Sequence, residues 1–200
     1  NITLTLCIAS VTMLSCNDKS KDNPSPADST AQAGQSEMKK DGGAITMPDS
    51  AAMAKAWNEF KTPGDMHKWL EKTNGTWEAD ISFWMDASTP PEKSKGKIIQ
   101  SSILGGRYVV SKYSGIAMGQ NTEGQSTMGY DNGKKLFVST WIDNQGTGIV
   151  FMTGTFDPKT KTLNLSGYQT DPVTGKDTGI REEMTIIDDD NYTMAMFGNG

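Results

Sequence analysis

The chain carries one histidine, His67, and two cysteines, Cys7 and Cys16, which narrows its nucleophilic and metal chemistry at once. A serine or cysteine nucleophile needs a neighbouring base, but His67 precedes the β-rich region and no G-x-S-x-G turn occurs. Zinc needs further His or Cys ligands, and the region after Gly75 has neither. Haem loses its usual axial ligand for the same reason. The expectation is therefore no catalytic triad, no metal and no cofactor, with His67 packing from a helix onto the end of a β-domain. Asp188-Asp189-Asp190 lacks the alternating acidic ligands and downstream Glu of a calcium loop and reads as a solvated turn.

What remains is acid–base and anchoring chemistry. Asp143 and Glu182 both fall on strand-like runs, and two such carboxylates, if close, suit acid–base or glycosidase-like work. Glu182 alternates with Ile180, Met184 and Ile186, and Arg107 with Val109 and Tyr113, so either is able to face a barrel interior. An inward Arg107 would need Glu182 or Asp143 as partner, because an unpaired buried charge is strongly destabilising. Three readings stay open: an internal ion pair, outward solvated charges, or an anchor for a ligand carboxylate or polar head. Tyr108, Tyr130, Trp141 and Phe151 supply aromatic walls for such a ligand, or fill the core.

The elements that must position these groups come late in the chain. Ile2 to Leu14 is uncharged and mainly apolar, too short for a membrane span of about 20 residues and suited to a signal-peptide core. Met13-Leu14-Ser15-Cys16 follows it and resembles a bacterial lipobox, whose cysteine is acylated and becomes the mature N-terminus. No Met precedes Asn1, so the first few residues are expected to be missing. The first unit is thus residues 1–16, a lipoprotein signal peptide with Cys16 as the lipidation site. Residues 17–48 are Ser, Asp, Lys, Pro, Gly and Ala with little to bury, a composition that cannot offset its ordering entropy and reads as a disordered linker. Asn17 after the cysteine gives no evident inner-membrane retention signal, so an exported domain on the outer membrane is expected. A net charge of −5 argues against nucleic acid as a partner.

Residues 49–200 form the third unit. Ser50 is placed to cap a short helix carrying Trp57 and Phe60, and a second brings Met66, Trp69 and Leu70 to one face before Asn74-Gly75 stops it. Trp57 and Trp69 are expected to anchor these helices on the β-domain. After Gly75 the period changes to two: Trp77, Ala79, Ile81, Phe83 and Met85 alternate with mostly polar residues. Eight more β-rich runs follow, joined by turns such as Asp131-Asn132-Gly133, Asp157-Pro158-Lys159-Thr160 and Asp171-Pro172-Val173-Thr174-Gly175. About nine strands without intervening helices predict an all-β antiparallel meander closing into a barrel.

Asn74-Gly75-Thr76-Trp77, a helix running into a G-x-W strand, resembles the start of a lipocalin-type, or calycin, barrel. Together with Leu104-Gly105-Gly106-Arg107-Tyr108, Gly129-Tyr130-Asp131-Asn132, Ser139-Thr140-Trp141-Ile142-Asp143 and Asp171-Pro172-Val173-Thr174-Gly175, it resembles a bacterial family, domain of unknown function 1579, from about His67 onward. The resemblance implies a calycin-like barrel with Gly75 and Trp77 in structural roles, export in many members, and no established activity. It also implies a final strand, after Phe197-Gly198-Asn199-Gly200, bearing an arginine that packs across Trp77. With that strand missing, an open seam is expected beside the first strand. Three functions follow from these readings: a non-catalytic protein binding a small, partly apolar ligand in the barrel, an envelope interaction module with a filled barrel, or a hydrolase using an Asp/Glu pair.

Overall fold

The computed structural model describes residues 49–84 and 88–198 and the backbone of Ile2–Cys7. Cys16 and the 17–48 linker lie outside the described residues. Two helices, α1 (Ser50–Lys61) and α2 (Asp65–Glu71), precede nine strands: β2 (Gly75–Trp84), β3 (Glu92–Ile103), β4 (Tyr108–Ala117), β5 (Gln120–Asp131), β6 (Leu136–Asp143), β7 (Val150–Asp157), β8 (Thr162–Thr170), β9 (Asp177–Ile186) and β10 (Tyr192–Gly198). Each strand pairs antiparallel with its sequence neighbour, as the meander requires.

The period-two pattern carries the sheet. On β2, Trp77, Ala79, Ile81 and Phe83 are buried while the residues between them are exposed or half-buried. Aspartates build the turns as their positions predict: the Asp131 carboxylate accepts from the amides of Gly133 (2.8 Å) and Lys134 (2.9 Å), and Asp171 accepts from Val173 (2.7 Å) and Thr174 (3.1 Å). These amide donors favour the ionised carboxylate and hold both side chains below the usual Asp range. Asp188 is lowered chiefly by the Asn191 side chain, with the Asp190 amide next, so the acidic triplet is a turn tip.

The seam departs from expectation. Strand β1 (Ile2–Cys7) lies between β2 and β10 and runs parallel to both, closing the barrel. As first and ninth strands of an up-and-down meander, β2 and β10 run in the same direction, and each would otherwise present a row of unpaired amides and carbonyls. The β1 backbone satisfies both rows in this arrangement.

Helix α2 plugs one end of the barrel. Its Leu70 joins the buried core, and Trp69 packs against Phe137 (5.6 Å between ring centroids) and Phe156 (4.8 Å). At Gly75 a φ of +144° turns the chain from α2 into β2, a conformation that glycine adopts without a Cβ penalty. Trp77 then donates its indole N–H to the Thr73 carbonyl at 2.8 Å and sets its ring edge-on to Tyr192 at 4.8 Å.

Helix α1 behaves differently from the sequence reading. Asp49, not Ser50, caps it, accepting from the Ala52 amide at 2.8 Å. Trp57 is 65% exposed and anchors nothing in the core; its contact is an edge-on stack with Phe60. Hydrogen bonds to its C-terminal turn hold the helix instead. Arg107 donates to the Lys61 carbonyl (2.7 Å), and the Asn132 amide donates to the carbonyls of Glu59, Phe60 and Thr62. Among the described residues no helix is long and apolar enough to cross a membrane.

Candidate binding cavity

The inward faces of the strands do not meet. They enclose a cavity of about 300 Å³ that runs from Leu70 and Thr73, beneath α2, to the opposite end, where half-exposed Met118 marks its approach to solvent. This volume sits at the lower end of the range for small-molecule pockets. The walls are mainly apolar, with Ile81, Phe83, Val109, Met128, Met152 and Met184 contributed by five different strands. Methionines also line the β10 side at Met194 and Met196, a flexible, polarisable surface that adapts to irregular shapes.

Three of the seven expected ligand-binding residues reach this cavity: Trp141, Asp143 and Glu182. Glu182 lies in the middle of β9, only 4% exposed, and its Oε1 is the one buried side-chain polar atom without a hydrogen-bond partner among the described residues. Burial without compensation raises its pKa from an ordinary carboxylate value to about 7. On the adjacent strand β10, Tyr192 donates its hydroxyl to Gln100 Oε1 at 3.0 Å, bridging β10 and β3. Desolvation, and secondarily the nearby Glu182 charge, push the Tyr192 phenol up. At the opposite end Asp143 is already engaged: its Oδ2 accepts from the Trp141 indole at 2.6 Å and its Oδ1 from the Gln145 amide at 2.9 Å.

The other four residues stand elsewhere, for identifiable reasons. Arg107 precedes β4, in the turn after Ile103, so strand alternation does not govern it; it donates to the Leu104 carbonyl (2.9 Å) and to the end of α1. No internal ion pair with Glu182 or Asp143 forms, and the anchor for a ligand carboxylate is removed with it. Tyr108 is 42% exposed on the outer face, its ring lying over Gly129, where an added Cβ would come within 2.6 Å of it. Phe151 sits between inward Val150 and Met152 and so points outward, stacking on Tyr168 at 5.9 Å. Tyr130 does face inward but at the α2 end, where its ring meets Phe137 at 5.0 Å and His67 at 5.8 Å.

His67 belongs to that packing. Its Nδ1 accepts from the Gly64 amide at 3.0 Å and burial lowers its pKa, so the neutral ring serves as a helix-end fastener. Among the described residues no cluster of three His, Cys, Asp or Glu side chains is placed to hold a metal ion. Gln100, Ser111, Tyr113, Ser139 and Tyr192 add to the polar and aromatic lining and are not among the expected ligand-binding residues; inward alternation marks Ser111 and Tyr113, but nothing local pairs Gln100 with Tyr192, 92 positions away.

No curated protein matches the chain. A family model described as "Protein of unknown function (DUF1579)" matches residues 62–200, taking in α2 and the whole nine-stranded meander. The chain therefore belongs to the DUF1579 family.

Proposed function

We propose that this protein is an exported, lipid-tethered binding protein that holds a small, partly apolar molecule inside its barrel. The observation that carries the reading is the unfilled interior: an apolar cavity of about 300 Å³ whose wall keeps one buried carboxylate oxygen without a partner. A protein core packs at crystal-like density, and an orphaned buried polar atom is costly. A cavity that retains both is shaped for something other than stability. The lipobox-like Met13-Leu14-Ser15-Cys16 and the linker after it support a tether that keeps the domain at a membrane, with the outer membrane as its site; processing at Cys16 would remove β1 and leave the nine-stranded meander with the β2–β10 seam unfilled. A non-catalytic role is supported by Asp143 being held by Trp141 and Gln145 and by the lack, among the described residues, of a nucleophile–base pair lining the cavity.

The full chain, purified from an envelope fraction, is to be examined by native mass spectrometry and solvent extraction. The proposal expects a reproducible adduct of one small molecule per chain, released by denaturation. A chain that is ligand-free from every preparation, and that takes up no alkyl probe in solution, would overturn it and favour a barrel that works through its outer surface.

A further inference from the structure

Among the described residues, the charges that line the cavity are all of one sign. Glu92 at the start of β3, Asp143 at the end of β6 and Glu182 in the middle of β9 line it, and no Lys, Arg or His is among the lining residues. Low-dielectric walls focus such a field and raise the local concentration of cations. The deepest of the three carboxylates has an oxygen with no donor, while the Asp143 oxygens already accept from Trp141 and Gln145. Around Glu182 the walls are Ile180, Met184 and Met196, with the Tyr192 ring nearby, surfaces that solvate an alkyl body and offer an aromatic face.

Resting on the binding reading above, we infer that the ligand is an alkyl or aralkyl amine whose ammonium group donates to Glu182 Oε1 while its apolar body fills the methionine-lined barrel. An ammonium brings three donors and a compensating charge, so it satisfies the orphaned oxygen and neutralises it together. A carboxylate ligand would bring a second negative charge beside ionised Glu182 with no described cation between them, which disfavours the fatty-acid class in alkaline solution. An alcohol supplies a donor but leaves the charge uncompensated.

Calorimetric titration of the full chain near pH 8 with octylamine, octanol and octanoate separates these cases. Octylamine is expected to bind about tenfold or more tightly than octanol, the increment of a charge-assisted over a neutral hydrogen bond, and octanoate more weakly than either. Glu182→Gln removes the advantage of the amine over the alcohol. Equal binding of octylamine and octanol, or preference for octanoate, overturns the amine inference while leaving the cavity a binding site. Failure of all three probes to bind overturns both. The three-probe comparison on the native chain needs no variant, so a poorly folding Glu182→Gln protein would not protect the inference.

Discussion

Replacing Glu182 with glutamine removes a charge that the fold buries and leaves unpaired. The carboxyl group titrates near 4.5 when exposed and near 7 in the barrel, with desolvation as the cause. The raised value fixes the sign. Below about pH 4.5 both folded and unfolded chains hold the proton and the group contributes no penalty. Between about 4.5 and 7 the unfolded chain releases the proton while the folded chain keeps it, so stability falls as pH rises; above 7 the full penalty is in place. A difference of 2.5 units corresponds to about 3 kcal/mol at 1.36 kcal/mol per unit. Urea unfolding of wild type and Glu182→Gln across this range measures it, and subtraction cancels the opposite-signed contributions of Asp131, Asp171 and Asp188, whose lowered values act in more acidic solution. The variant should gain on wild type by up to about 3 kcal/mol between the acid and alkaline ends, starting from a deficit of about 1–2 kcal/mol if the buried amide lacks a partner. Parallel profiles for the two proteins would refute the burial of an ionisable, uncompensated Glu182.

Arg107→Ala should free the C-terminal turn of α1, speeding amide exchange in Ser50–Lys61 and costing about 1 kcal/mol, with protection in the strands unchanged. Gly154→Ala should be severely destabilising, because a Cβ there would sit 1.8 Å from the Asn164 carbonyl oxygen on the paired strand; thermal melting or loss of soluble protein reports it. Leu163→Ala, at a fully buried site in the core, should cost about 3 kcal/mol in urea unfolding.

The first strand of the meander was legible because its burial alternates, and the turns because aspartate side chains cap their own backbones at Asp131, Asp157 and Asp171. Alternation put Glu182 on one face with Ile180 and Met184 but left open whether that face was inward; the structure buries it. For Arg107 parity with Val109 and Tyr113 allowed an inward side chain, but its position in the turn before β4 carries it out to α1. Phe151 and Tyr108 were grouped as aromatic walls by residue type alone, although their own strand neighbours place them outside. The exposure of Trp57 was unreadable, since a helix held through its carbonyls by Asn132 and Arg107 has no need of an apolar anchor. The seam between β2 and β10 was expected to be open, but Ile2–Cys7, read as a signal-peptide core for its apolar character, also alternates well enough to pair as a strand. Gln100 with Tyr192, and the existence of the cavity, depend on distances across the barrel that no local pattern encodes.

On the proposed reading the barrel interior, and not its surface, takes up a small molecule. Ser111 is buried on β4 and lines the cavity, so Ser111→Phe places a ring in the space a ligand would occupy. Octylamine titration of wild type and Ser111→Phe, with circular dichroism showing that both retain the β fold, is the most direct test. Saturable one-to-one binding to wild type that is lost or weakened about tenfold or more in the variant is the predicted result. Equal binding by both proteins, or no binding of octylamine, octanol or octanoate to wild type, would contradict an internal site.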